Sequence, residues 1–337
     1  MTAEPHRKLR PDANLAPMQE EEVVLLLATY NGAAHLPELV ASLGEQTYPF
    51  SRLVTGDDGS TDHTPSLVEH WTRDSEFTVT VQPRRSAPLG PGLNFGGLLA
   101  DALELPALGQ RRYYLFCDQD DVWLPNKIEK LVAALKLAEQ THPGVPILVH
   151  SDLLVVDPQL NVIDPSFWHY QNIDPARHKL NHLLLQNTVS GCACIFNDAL
   201  AQLASPVPAA ATMHDWWLAL VASAFGEIVP VYDSLILYRQ HAANDQGAAR
   251  YNLSYITKKF WSLLAGRDFD RLIGQRIAQA RAFYARYRDR LSPNHCSLLE
   301  DFISIRDQGF VERRRRLARH RLAKSGMSRN LGLYLFI

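Results

Sequence analysis

The stretch Tyr113–Trp123, YYLFCDQDDVW, decides the reading of this chain. It opens with five aromatic, aliphatic or thiol residues, the composition of a strand buried on both faces. It then sets Asp118, Asp120 and Asp121 within four positions, with only Gln119 between them. Carboxylates this close repel one another, so a buried strand that ends on them needs a positive partner. On an extended backbone, residues two apart point the same way, and Asp118 and Asp120 can address one ligand together. Mg2+ and Mn2+ take oxygen ligands, often one or two carboxylates plus substrate phosphates, so a divalent cation holding a diphosphate is one reading. The other is a solvated acidic turn, with Asp120 and Asp121 near the positive N-terminus of a helix opened by Pro125.

Upstream, the same plan repeats. VVLLLATYNG (Val23–Gly32) is an apolar run that stops at polar residues and a glycine, and Leu36, Leu39, Val40 and Leu43 follow at helical spacing. RLVTGDDGSTD is a short strand, a turn-rich loop and a helix carrying Leu67, Val68 and Trp71; FTVTV (Phe77–Val81) is a third strand, and NFGGLLADAL a helix with Phe95, Leu98, Leu99 and Ala102 on one face. Strands alternating with helices predict an α/β sheet with right-handed crossovers. Ligands bind such sheets outside the carboxyl ends of the strands. ATYNG, GDDGSTD and DQDD all follow strands directly, so parallel strands would gather them at one rim.

From about Pro146 the pattern is mixed. PILVHSDLLVVD predicts a strand or hairpin, TVSGCACIFN a strand with a helix starting near Asn197, HDWWLALVASAFG a helix, and IVPVYDSLILYRQH two short strands. From Ala248 onward only helices are expected, with Leu272, Ile273, Ile277, Ala280, Tyr284 and Tyr287 at helical spacing.

The 337 residues are 46% hydrophobic and 21% charged with a net charge of −2, ordinary for a globular protein and no electrostatic footprint for nucleic acid. The first 20 or so residues are polar and proline-spotted and read as a disordered tail without a signal peptide. No apolar run approaches the length of a membrane span. Cys192 and Cys194 form a CxC without a second pair; a zinc site is the sharp reading, buried thiols in a reducing cytosol the plain one.

LLLATYNGAAHL, GDDGSTD, NFGGLL, LFCDQDDVW, HSDL, HDWW and YRQH occur in this order between roughly Glu22 and Asn244. Together they resemble an inverting family 2 glycosyltransferase of the GT-A fold, most of all the bacterial rhamnosyltransferase-like branch. The resemblance implies a Rossmann-like, mostly parallel central sheet flanked by helices over residues 21–247, and leaves residues 248–337 as a helical C-terminal appendage. It implies a metal-dependent enzyme (Mn2+ or Mg2+) that moves a sugar from a pyrimidine nucleotide sugar, dTDP-L-rhamnose or a UDP-sugar, onto a cell-surface polysaccharide or lipopolysaccharide.

It also implies roles. Thr29, Tyr30 and Asn31 would line the base pocket, Asp57 would accept the imide N–H of a uracil or thymine, and Asp58 would support that loop or the ribose; the plain reading of Asp57–Gly59 is a turn capped by Ser60 or Thr61. Gly56 stands where the branch more often carries serine. Asn94 would face the donor, or cap its helix. Asp118 would contact ribose or metal, Asp120 would bind the metal directly, and His241 would close over the diphosphate as a third ligand. Arg239 could bind phosphate as a fork, with Asp121 beside it. Asp215, ahead of two tryptophans, would be the base that takes the acceptor proton, its pKa raised by burial against the indoles. Its plain reading is a helix N-terminal charge. Of Trp216 and Trp217, one would be core and one an acceptor platform. Ser151 and Asp152 are candidates for the acceptor wall, whereas His150, His169, His178 and His182 have no ligand spacing. A nucleotidyltransferase would need a glycine-rich basic loop that ATYNGAAHL lacks, and a non-catalytic glycan-binding scaffold would have no use for Asp118, Asp120 and Asp215 together.

The last stretch, Phe310–Ile337, sets eight permanent positive charges against one acid and ends on apolar residues. It reads as a solvated helix face, a nucleic-acid contact without interleaved aromatics, or a separable tail on an anionic membrane. The last fits a cytoplasmic protein, peripheral on the inner face of the cell membrane, that meets a lipid-linked acceptor there.

Overall fold

The computed structural model describes residues 19–73, 75–83, 85, 87–240 and 267–337. Most of the expected N-terminal tail, His241 and the boundary at 247 lie outside these residues. The tail ends earlier than expected, because β1 (Gln19–Thr29) already includes Gln19 and Glu20.

The predicted alternation is present: α1 (Leu36–Gly44), β2 (Arg52–Asp57), α2 (Thr64–Thr72), β3 (Thr78–Val81), α3 (Pro91–Glu104), β4 (Gly109–Asp118), the two-residue β5 (Val122–Trp123) and α4 (Lys127–Thr141). Then come β6 (Ile147–Val156), β7 (Val162–Asp164), short α5 (Phe167–Gln171) and α6 (Leu180–Leu183), β8 (Cys194–Asn197), α7 (Asp198–Ala204), α8 (His214–Phe225) and β9 (Glu227–Arg239). Asn197 starts α7 as its N-cap, accepting the Leu200 N–H.

The strands form one sheet in the order β3-β2-β1-β4-β8-β6-β9-β5, with β7 on β6. β1, β2, β3 and β4 pair in parallel, as do β6 and β9. β8 runs antiparallel to both β4 and β6, so β4 and β6 point the same way. The sheet is therefore mostly parallel, and β1, β2 and β4 end at one rim.

β1 is apolar without alternation because it has no solvent face. Val23, Leu25 and Leu27 join Tyr113, Leu115 and Cys117 under α1 and α4, while Val24, Leu26 and Ala28 join Tyr114 and Phe116 under α3 and α8. α8 is buried along most of its length, which explains an apolar helix without a polar face.

Two expectations change. The strand read through Val189–Asn197 is regular only from Cys194; Gly191–Ala193 form a 3-10 turn. Its backbone is engaged elsewhere, since the Gly191 N–H goes to Asp215 and the Cys192 carbonyl to the Lys127 ammonium. The two short strands read after Gly226 are one strand, β9. The apparent break is a bulge: Ser151 pairs with Val231 but Asp152 with Ser234, which leaves Tyr232 and Asp233 outside the ladder.

The C-terminal region is helical, as expected: α9 (Arg267–Tyr287), α10 (Pro293–Ile303), α11 (Phe310–Arg319) and α12 (Met327–Phe336). Ile273, Ile277, Ala280 and Phe283 of α9 pack in the same core as α8, and Leu317, Leu322, Leu333 and Ile337 belong to it too. The last segment is tied to the chain around α5 and α6: Arg329 donates to the carbonyls of Gln171 and Asn172, and Asn181 to those of His320 and Arg321. The apolar tip read as free is thus half committed to the core.

Candidate active site

A cavity of about 690 Å3 opens at the carboxyl ends of β1 and β4. A smaller hollow of about 360 Å3 beside Tyr48 and Lys136 lies on the outer side of α4, away from the clustered acids.

The loops after β1, β2 and β4 are clipped together. Gln119 accepts the Tyr30 N–H at 2.9 Å and donates to the Tyr30 carbonyl at 2.8 Å. Gly32 leaves room for this clip; a Cβ there would stand 2.0 Å from the Gln119 Oε1 and would push the side chain aside. Thr29 and Tyr30 line the cavity, as does Asp58, whose carboxylate takes the N–H groups of Leu89 and Gly90 and so fixes the entry to α3. Asn94 also lines it; its amide donates to the Gly56 carbonyl, while its Oδ1 is buried with no hydrogen-bond partner. Asn31 and Asp57 sit behind this wall. Asn31, at a φ of 47°, accepts the Thr61 N–H on its side-chain oxygen, and its own N–H donates to the Ser60 hydroxyl oxygen. Asp57 receives the N–H groups of Gly59 and Ser60 and the hydroxyls of Thr29 and Ser60. Four internal donors occupy the carboxylate expected to meet the base, so its geometry matches the plain turn reading.

Opposite stands the acidic corner. Asp118 and Asp120 line the cavity, whereas Asp121 is buried behind them, its Oδ2 without a partner. Asp118, Asp121 and Cys192 have ligand atoms within 4.8 Å of one another. Burial, then the charges of Asp120 and Asp215, pushes the Asp118 carboxyl up to about 7. Burial, then Asp120 and Asp118, pushes Asp121 well above the carboxylate range. The nearest cation, Lys127, is itself fully buried over the Trp123 ring, and burial lowers its ammonium to about 8.

The other end of β1 shows what a satisfied buried acid looks like. There Arg52 and Arg112 grip Glu22 at 2.8 and 2.9 Å. Burial pushes that carboxyl up, but the Leu108 N–H and the two arginines outweigh it and hold it below the usual range. Among the described residues no arginine pairs with Asp118 or Asp121, so the corner carries more negative charge than those neighbours offset. An orphaned carboxylate oxygen and crowded acids fit a hard divalent cation. The Cys192 thiol, held protonated by burial, does not.

Arg239, expected as a phosphate fork, is 2% exposed and committed to Glu38 and to the carbonyls of Asp120 and Pro158. It holds the acidic loop rather than facing the cavity. Asp152 accepts the Ser166 hydroxyl and the Trp168 N–H, which tethers α5, whose Phe167 and Gln171 line the cavity.

Asp215 opens α8 beside the cavity. Its carboxylate accepts the Gly191 N–H at 3.0 Å and the Trp216 N–H. Burial raises it to about 6, against the hydrogen bonds of Trp216, Gly191 and Asn187. Gly191 lets the turn close on it; a Cβ there would lie 2.9 Å from His214 Nε2 and 3.3 Å from Asp215 Cβ. His214 packs on Phe95 and Phe116, and burial drops it to about 3, so it is neutral. The tryptophans divide: Trp217 is core with its indole N–H on Ala204, and Trp216 lines the cavity with its own on Leu183. Gln119, Lys127, Asn187 and, from α9, Arg276 belong to the site without any motif that announced them.

Residues 25–202 match the profile of glycosyl transferase family 2. The chain belongs to this family, whose profile is not that of a nucleotidyltransferase. It is 31% identical over 109 residues to the dTDP-rhamnosyl transferase RfbG of Shigella flexneri, covering 32% of this chain and 36% of that one. It is 28% identical over 108 residues to the putative teichuronic acid biosynthesis glycosyltransferase TuaG of Bacillus subtilis, 32% of this chain and 39% of that one. The matched stretches thus span little more than a third of these relatives. The structure of S. aureus TarS 1-349 in complex with UDP-GlcNAc superposes with a TM-score of 0.52 over 89% of this chain and 80% of that one, at 17% identity, and shares the GT-A fold.

Proposed function

We propose that the protein is a metal-dependent inverting glycosyltransferase that moves a sugar, L-rhamnose from dTDP-L-rhamnose, onto a growing cell-surface glycan. The observation that carries this is one cavity walled by the acidic pair Asp118 and Asp120 and by a carboxylate, Asp215, raised toward neutrality by burial. The match to a dTDP-rhamnosyl transferase supports the donor.

Asp118 and Asp120 would hold a Mn2+ or Mg2+, which when bound neutralises the diphosphate and the charge it gains on leaving. Thr29, Tyr30, Asp58 and Asn94 would form the nucleotide wall, braced by the turn bonds of Asn31 and Asp57. The acceptor sugar would stack on Trp216. Its hydroxyl oxygen attacks the anomeric carbon, its proton passes to Asp215, and the bond to the diphosphate oxygen breaks. A thermal-shift panel of nucleotide diphosphates and sugars with each metal tests the donor. At 100 times its dissociation constant a ligand stabilises the fold by about 2.7 kcal/mol. dTDP-L-rhamnose with Mn2+ should give the largest shift, and a larger shift with a purine nucleotide sugar would overturn the assignment.

The same reading places the chain on the inner face of the membrane beside a lipid-linked acceptor. No helix among the described residues is long and apolar enough to cross a membrane. Phe310, Val311, Leu331 and Leu335 are exposed on α11 and α12, and the guanidinium of Arg315 is exposed on α11. Deleting Phe310–Ile337 is not a fair test, because Leu317, Leu322, Leu333 and Ile337 would leave the core. Replacing Phe310, Leu331 and Leu335 by serine and Arg315 by glutamine should instead weaken sedimentation with phosphatidylserine vesicles by at least about fivefold, a basic residue near such a surface contributing about 1 kcal/mol. Equal sedimentation of the two proteins would remove the membrane from the proposal.

A further inference from the structure

Arg276 is the one arginine or lysine in the cavity wall among the described residues. α9 delivers it there: Ile273, Ile277 and Ala280 bury that helix in the core, and the guanidinium comes 5.7 Å from the centre of the Trp216 ring. Its Nε is buried without a hydrogen-bond partner. The buried arginines among the described residues are all matched. Arg52 and Arg112 have Glu22, and Arg239 has Glu38.

Two further polar atoms in the same wall are buried and unpartnered, the hydroxyls of Thr188 and Thr212. One cavity thus carries a guanidinium Nε and two hydroxyls without a hydrogen-bond partner among the described residues. A buried guanidinium without an anion is costly, and it is retained where something outside the chain completes it. Burial alone lowers it, to about 10, with no carboxylate acting on it. Its contact with the Trp216 ring sets it on the side of the base.

We propose that Arg276, with the hydroxyls of Thr188 and Thr212, forms an anion subsite that takes a phosphate or carboxylate group of an acidic acceptor glycan. This rests on the reading of Asp215 and Trp216 as the acceptor side. Guanidinium geometry suits both anions, which it binds as a fork. Placing the charged group there would orient the attacking hydroxyl toward Asp215. It would also make the enzyme selective for charged acceptor repeats over neutral ones.

The test uses the full chain with dTDP and Mg2+ bound, so that the donor end is filled. Inorganic phosphate and glucuronate are titrated separately, followed by calorimetry. The wild type should bind at least one of them saturably without displacing dTDP, and the better probe tells phosphate from carboxylate. Arg276→Gln should bind it at least about tenfold more weakly, with its dTDP affinity unchanged. Without added anion, Arg276→Gln should melt no lower than the wild type, since an uncompensated charge has gone. Arg276→Lys, which keeps the charge and loses the fork, should fall between them. Equal anion binding by Arg276→Gln, anion binding that competes with dTDP, or loss of dTDP affinity in the variant would each overturn the proposal. So would a variant that melts well below the wild type, because Arg276 would then be a packing residue. If dTDP fails to bind even the wild type, the donor reading fails, while the anion comparison between the two proteins still stands.

Discussion

Asp215→Asn should leave nucleotide-sugar affinity within about twofold and lower turnover by roughly 10²–10⁴, the usual worth of a positioned general base. Asparagine keeps the size of the side chain and an oxygen for the Gly191 N–H, but it cannot take the acceptor proton. The wild type should show why in its pH profile. Burial holds Asp215 at about 6, and only its ionised form is a base. Turnover should therefore be level above about pH 7 and fall near tenfold per unit well below pH 6. That limb should vanish in the variant. The same shift sets a stability sign. A carboxyl raised in the folded state adds stability that is fully present below its unfolded value, about 3.9, and lost as pH rises through 6. At neutral pH Asp215 is thus a cost that Asp215→Asn relieves, and the loss of turnover should come without loss of fold. Transfer within threefold of the wild type would place the base elsewhere.

Asp120→Asn should abolish the metal-dependent part of donor binding. Groups that merely orient metal ligands cost 10–100-fold in metal affinity when removed, so a direct ligand should cost at least about that much. The protein around it should tolerate the change, because the corner already holds more negative charge than Lys127 offsets. The reading is the thermal shift from dTDP with Mn2+, set against dTDP with a chelator. The wild type should lose most of its shift on chelation, and the variant should have none to lose. A variant that responds to Mn2+ as the wild type does would show that Asp120 is not a ligand.

The rim was legible because strand polarity is legible. Apolar runs that stop at ATYNG, GDDGSTD and DQDD meet at one rim if the strands are parallel, and the sheet makes them so. HDWW was legible in its aspartate, and the cavity then separated the tryptophans by what each indole N–H reaches. What could not be read was partnership. Asp57 and Arg239 carry the right chemistry in the right motifs, yet the first is filled by its own turn and the second by Glu38 and two carbonyls. A sequence shows which groups can bind a ligand and not which the protein has already engaged. Arg276 is the converse. It sits in a region rich in arginine, in a helix whose periodicity promises only packing, and nothing local marks it as the one that reaches the cavity wall.

The most direct measurement is the anomeric configuration of the first-turnover product, read by NMR with dTDP-L-rhamnose, Mn2+ and a soluble acceptor analogue. One in-line displacement with Asp215 as base gives a product of configuration opposite to the donor's. A product that keeps the donor's configuration requires either two displacements or departure and attack on one face, and would contradict a single transfer assisted by Asp215.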